Sequence, residues 1–327
     1  MKENRKSLMR LIERGETITL VLLVIVFAGC MLLSSSFRDL GYLLKSSTKV
    51  VELCMVSLPM TLLIIAGMID LSVTSIMALS ATMTAYTFHA GVPFGAALMV
   101  GLVVGSVCGL INGSLIAYGK LPPMIVTIGT QSLFRGICQI LIGDASLSDF
   151  PEWFNAMDKR SVFMLGEGAN FSVSLLLFVL LVLMFYFVLH HTTIGRMVFA
   201  IGTNEQTAIW SGIKTKRVKL LLFVVSGFIC ALSGILTMSR FSLVRYDMQL
   251  NREIDVITIV LLGGASISGG KGSIIGTFLA SILMIVMKTG LIVANITADS
   301  QMFVVGVILL VSVIAPQLIE RYKARKD

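Results

Sequence analysis

Phe171-Ser-Val-Ser-Leu-Leu-Leu-Phe-Val-Leu-Leu-Val-Leu-Met-Phe-Tyr-Phe-Val-Leu189 and, a few polar residues later, Ala200-Ile-Gly-Thr-Asn-Glu-Gln-Thr-Ala-Ile-Trp-Ser-Gly-Ile-Lys-Thr-Lys-Arg-Val-Lys219 decide what kind of molecule this is. The first stretch is apolar almost throughout and long enough to cross a bilayer as a helix, which takes roughly 20 residues. The second is hydrophilic, basic and patterned as a short helix. Thr203 or Asn204 can cap it, Glu205 sits in its first turn where the helix dipole favours an acid, and Gly212 is a C-terminal stop. Apolar sequence resumes at Val218–Met238. A short helix held between two membrane spans has little of its own chain to pack on, so the stretch predicts docking on a partner beside the membrane.

Outward from this loop, similar apolar runs recur at Thr17–Ser35, Val50–Gly67, Leu71–His89, Phe94–Tyr118, Met124–Ile142, Ile274–Met287 and Met302–Pro316. A shorter run, Ile254–Ile267, either crosses or re-enters, and with it the total is about ten spans. The expected fold is therefore all-α, a polytopic membrane protein. Composition agrees: 56% of the residues are hydrophobic and 13% charged, where a soluble domain carries about 25%. The N-terminal basic segment and first apolar run read as an uncleaved span, because the run exceeds the roughly 7–15 residues of a signal core.

The formal charge of +8 is spread over Lys2–Arg14, Arg196–Lys219 and Arg321–Lys326. Without a single patch interleaved with aromatics, it orients the chain by the positive-inside rule and does not mark a nucleic-acid site. Residues 1–327 form one transmembrane domain with a cytoplasmic arm (1–16), an external acidic segment (143–170), a cytoplasmic coupling loop (191–217) and a cytoplasmic tail (317–327). The external segment, with Trp153 and Phe154, is either a contact for an outside partner or a solvated cap.

Two places interrupt the regular pattern: Ala66-Gly-Met-Ile-Asp-Leu-Ser-Val-Thr-Ser75 and Leu262-Gly-Gly-Ala-Ser-Ile-Ser-Gly-Gly-Lys-Gly-Ser273. They occupy corresponding parts of the two halves and suggest a diverged internal repeat. Irregular backbone at membrane depth survives only inside protein or beside water, so such breaks point to a translocation path. Asp70 and Ser72 in the first break, Gly263 and Gly264 in the second, and Asn112, Thr127, Thr130 and Gln131 between them are the path candidates. Each has a plainer reading: Asp70 caps the following helix, and the amides and hydroxyls join helices. Gly101, Gly105, Gly109 and Gly113 recur on one face of their span and predict close helix packing.

Chemistry within the chain is not indicated. Gly264–Gly272 does not fit G-x-x-x-x-G-K-[ST], since Lys271 is followed by Gly272. No Ser/His/Asp, Cys/His or paired-carboxylate arrangement stands out for catalysis. Cys30, Cys54, Cys108, Cys138 and Cys230 lie scattered in apolar runs and read as buried small side chains, and His89, His190 and His191 have no metal-ligand spacing.

Phe199–Ile213 followed by Lys216-Arg-Val-Lys219 resembles the coupling loop of bacterial sugar ABC-importer permeases of the ribose, xylose, arabinose, rhamnose and autoinducer-2 type. Gly67-Met-Ile-Asp-Leu-Ser72, Leu121-Pro-Pro-Met-Ile-Val-Thr-Ile-Gly-Thr130, Phe134-Arg-Gly136, Glu253-Ile-Asp255, Val260–Gly264 and Gly269–Gly272 are similar to other motifs of that family. Met68, Thr74, Gln206-Thr207 and Trp210 are local departures from it. The resemblance implies a permease in the cytoplasmic membrane of a bacterium, paired with a second permease chain, identical or not. It further implies ATPase subunits that use ATP and Mg, an extracytoplasmic sugar-binding protein, and no cofactor held by this chain. It assigns ATPase coupling to Gly202, Thr203, Asn204, Glu205, Gln206, Thr207, Ala208, Ile209, Trp210, Ser211 and Gly212. The alternative is a stand-alone secondary transporter or channel. Proton or sodium coupling favours several mid-membrane carboxylates, and the sequence offers Asp70 nearly alone, with Glu253 and Asp255 at a span edge.

Overall fold

The computed structural model of the chain describes residues 15–33, 35–157, 161–164, 170–297, 300–310 and 314. The arm before Gly15, the tail 317–327, most of the last apolar run beyond Leu310, and Asp158, Lys159, Arg160 and Glu167 of the external segment lie outside them. Helices α1 (Gly15–Leu33), α2 (Leu40–Ser47), α3 (Val51–Ile65), α4 (Val73–His89), α5 (Phe94–Ala117) and α6 (Pro123–Ile142) make the first half. A short helix α7 (Glu152–Asn155) and strands β1 (Ser161–Met164) and β2 (Asn170–Ser172) follow. The second half holds α8 (Val173–His191), α9 (Thr193–Thr203), α10 (Glu205–Trp210), α11 (Thr215–Phe241), α12 (Glu253–Leu262) and α13 (Ile274–Val293). A short apolar helix, α14, spans Ser300–Leu310.

The fold is helical, as expected, with one small exception. β1 and β2 pair antiparallel, with Phe163 opposite Phe171, so the run read as starting a span at Phe171 begins its helix only after Ser172, whose hydroxyl accepts the Leu175 N–H. Among the described residues, five helices are long and apolar enough to cross a membrane, namely α5, α6, α8, α11 and α13, and α2 with α3, bent by 61°, makes a sixth if the pair is one span. Of the other expected spans, Leu71–His89 and Ile254–Ile267 correspond to the shorter helices α4 and α12, and the described parts of the first and last runs, Thr19–Leu32 and Ser300–Leu310, are shorter apolar stretches.

Burial follows the sequence pattern of each helix. α3 is apolar on every side and every one of its residues is buried, as a helix without a polar face must be in a bundle core. It packs against α8, α9, α11, α12 and α13. By contrast α5, α6 and α8 keep exposed Met99, Val103, Ile125, Leu133, Ile140, Leu183 and Phe187; such an apolar exterior suits lipid. The glycine stripe of α5 does pack closely. A Cβ on Gly105 would meet Gly227 O at 2.6 Å and Ser80 Oγ at 2.8 Å, and one on Gly113 would meet Leu220 and Phe223 at 3.0 Å. α5 and α11 thus cross with backbones nearly touching.

Both sequence breaks begin with one helix closure. At the end of α3, Gly67 N–H bonds Ile64 O at 2.9 Å and Met68 N–H bonds Leu63 O at 2.9 Å. At the end of α12, Gly264 N–H bonds Leu261 O at 3.0 Å and Ala265 N–H bonds Val260 O at 3.3 Å. This is the Schellman closure, with glycine supplying the left-handed residue. It also ends α4 at Gly91, so it does not by itself relate the two halves.

Candidate functional site

α10 is built from local signals. Asn204 is the cap: its side-chain oxygen accepts the Thr207 N–H at 2.9 Å. Thr203 instead ends α9, its hydroxyl donating to Phe199 O at 2.9 Å. Glu205 pairs with Lys219 at 2.6 Å. The helix stops with Gly212 at φ +84, where Gly212 N–H bonds Ile209 O at 2.9 Å and Ile213 N–H bonds Ala208 O at 3.1 Å. Gln206, Thr207 and Ser211 are exposed, whereas Ala208 is buried. Ile209 is 45% and Trp210 78% exposed, which leaves uncovered apolar surface on the tip of the loop. The preceding α9, with Val198 and Ile201 in the core, was not foreseen; its apolar face runs straight on from α8.

Gly202 joins this loop to both breaks. A Cβ there would collide with Ile65 O at the end of α3 and stand 2.6 Å from Gly270 N. Gly270 N–H itself donates to Ile65 O at 2.8 Å. Gly269 and Gly270 have φ +82 and +73, and a Cβ on Gly269 would meet Gly202 O at 2.8 Å. The glycine loop that superficially invites a phosphate therefore donates an N–H to Ile65 O at the first break and packs its backbone against Gly202 and Thr203. Gly263, a path candidate, is buried against Gly276 and Thr277 where α12 crosses α13. Gly264 is exposed at the same end.

Asp70 does not cap α4 directly. The N-cap is Ser72, without a side-chain cap bond. Asp70 Oδ1 accepts the Ser72 N–H at 2.9 Å and the Ser72 hydroxyl at 2.6 Å, bracing the turn two residues upstream. Asn112 Nδ2 then donates to Ser72 Oγ at 2.8 Å, so three of the candidates form one buried cluster between the break and α5.

The others lie on α6. Thr127, Gln131 and Arg135 are spaced i, i+4, i+8 and share one face. Thr127 Oγ1 reaches Ile69 O at 3.3 Å. Gln131 Nε2 donates to Glu253 Oε1 at 2.9 Å, and Arg135 donates to Tyr246 O at 2.6 Å and Met248 O at 2.8 Å. Thr130 turns its hydroxyl back to Thr127 O. One polar stripe thus holds the first break, the N-terminus of α12 and the segment before it.

Two expectations need correction. Asp70 is not nearly alone: Glu52, Glu253, Asp255 and Lys288 are buried too. Glu52 pairs with Arg240 at 2.6 Å, and Asp255 with Arg252 and Lys288. Arg240 lies 188 positions from Glu52 and Lys288 33 from Asp255, which is why a scan of single spans misses these two pairs. Secondly, Phe154 is no outside contact; it is buried with its ring 4.8 Å from Phe94. Trp153 stays 55% exposed.

Residues 42–313 match the family described as branched-chain amino acid transport system / permease component. The chain belongs to this permease family. Among curated relatives, the autoinducer 2 import system permease protein LsrD of Escherichia coli (strain K12) is 34% identical over 312 residues, 94% of this chain and 93% of the relative. LsrD of Shigella flexneri and of Escherichia coli O157:H7 give the same figures. No solved structure matches the chain. Membership of the permease family upholds the resemblance read from the motifs and makes the chain a multi-pass transport subunit.

Proposed function

We infer that the chain is the membrane subunit of an ATP-driven importer for a small hydroxyl-rich solute of the autoinducer-2, ribose or rhamnose class. The relatives' printed function and the near full-length match support the solute class. In this reading the bilayer is crossed ten times, with α1, α4, α12 and α14 completing the passes of the longer helices, and the two breaks belong to a repeated half. Both termini and α10 face the cytoplasm, and residues 143–157 face outward toward a solute-binding protein. A second permease chain completes the path, and ATP and Mg act on the partner ATPase.

The observation that carries this reading is the position of Gly202 between Ile65 and Gly270. When ATP closes the ATPase pair, α10 moves with it as a short rigid body. Because packed interfaces switch between discrete arrangements and do not stretch, motion of the α9–α10 junction must displace the ends of α3 and α12 together. Ile209, Trp210 and the polar residues of α10 supply the docking surface, and Gly202 transmits.

Affinity capture tests the docking. Tagged chain extracted from native membranes is expected to retain an ATPase subunit, and Trp210→Ala is expected to lose most of it while inserting normally. Equal ATPase recovery with Trp210→Ala, and with Ile209→Ala, would remove α10 as the contact.

A further inference from the structure

Four carboxylates are buried among the described residues. Glu52 and Asp255 are held by cations, and Asp70 by its own turn. Glu253 differs from all three. Its Oε2 accepts the Thr74 hydroxyl of α4 at 2.8 Å, and its Oε1 accepts the Gln131 amide of α6 at 2.9 Å. Both partners are neutral and come from other helices. Arg135, one turn further along α6, gives its guanidinium to backbone carbonyls instead.

The location matters as well. α12 has 10 residues and rises about 15 Å, half of a hydrocarbon core of about 30 Å. With its Gly263 end at the level of the coupling loop, its first residue reaches mid-membrane. α12 packs on α3 and α13 and is bridged to α4 and α6 through this one side chain.

We propose that Glu253 is a specificity-determining acceptor on the path, exchanging its Thr74 and Gln131 bonds for two hydroxyls of a vicinal diol in the passing solute. A carboxylate offers about four acceptor positions, and two are in use. The resting donors, one O–H and one N–H, are neutral, as are the two O–H groups a vicinal diol brings, so the exchange conserves the number of hydrogen bonds and adds no charge. Exchange at Asp255 would instead leave the buried Lys288 cation without its counter-ion, which is strongly unfavourable. The inference rests on the importer reading above and on its solute class.

The test is uptake by cells carrying the intact importer, binding protein and ATPase, using labelled ribose and rhamnose, each against its 2-deoxy analogue. The binding protein is the same in every assay, so a change in the polyol-to-deoxy rate ratio between variants belongs to the permease. Glu253→Gln is expected to keep membrane level and binding-protein-stimulated ATP hydrolysis but to lower that ratio about 10-fold, and Glu253→Asp to restore part of it. Thr74→Val and Gln131→Leu remove only the resting donors and should leave the ratio within about 2-fold. If Glu253→Gln does not insert, the ratio for Glu253→Asp decides, since a shorter carboxylate still shifts it. Equal slowing of both sugars, or the same ratio change in Thr74→Val and Gln131→Leu, would make Glu253 a strut and overturn the inference alone. No uptake of any of the four sugars by the unaltered importer would overturn the solute class and the inference together.

Discussion

One methyl group at position 202 is a small change with a large predicted effect. It has nowhere to go between Ile65 O and Gly270 N, and overpacking of this kind costs about 1–3 kcal/mol. Gly202→Ala is expected to lower the thermal midpoint of the purified protein and to abolish uptake. Gly136 is the control: nothing lies within 4 Å of a Cβ there, and a helical Gly→Ala change gains about 0.5–1 kcal/mol. A Gly202→Ala protein as stable and active as Gly136→Ala would show that the three loops do not touch. At Asp70 the accepting oxygen matters, because both bonds converge on Oδ1. Asp70→Asn keeps that oxygen and should insert and melt like the parent, whereas Asp70→Ala should lose about 1–3 kcal/mol. Equal loss in both variants would mean that the charge, not the turn, is required. Residues of this kind were legible as unusual but not in role: Asp70 stood out as a carboxylate in an apolar run, and only coordinates separate capping from bracing. The partners of Glu253 were not legible, because they lie 179 and 122 positions away.

At the scale of elements, α10 makes the clearest prediction. Proline cannot reach the φ of +84 at Gly212 and lacks the N–H given to Ile209 O, so Gly212→Pro unwinds the closure. The chain should still insert, since no span is altered, and ATP-driven uptake should fall to background. The Glu205–Lys219 pair has side chains 45% and 15% exposed, so its stability term is at most about 1 kcal/mol. Its value is orientation. Glu205→Lys should impair uptake, and the swap Glu205→Lys with Lys219→Glu should recover much of it; a swap no better than the single change would deny the pair that role. Helix α10 was readable because Asn204, Glu205 and Gly212 act over neighbouring residues. The long apolar helices were readable for the same reason. α9 was hidden because its apolar positions merge with those of α8. The ribbon β1–β2 was hidden because its second strand overlaps an apolar run, and helix and strand cannot be told apart there by hydropathy alone.

At the scale of the whole molecule, the glycine contacts turn separate features into one machine. Two interrupted segments, distant in the chain, meet at the same residue, Gly202. Their opposite sides are tied by Arg135 and by the bridge between Leu147 and Val244. The breaks and the loop were each legible in the sequence; their direct contact depends on folding distances that no local pattern carries. The most direct test of the central claim is solute uptake into proteoliposomes holding this chain with its second permease chain and binding protein, measured with and without the ATPase and ATP. Uptake that appears only with both, and disappears with Gly212→Pro, is the predicted result. Uptake at an undiminished rate without the ATPase would contradict it.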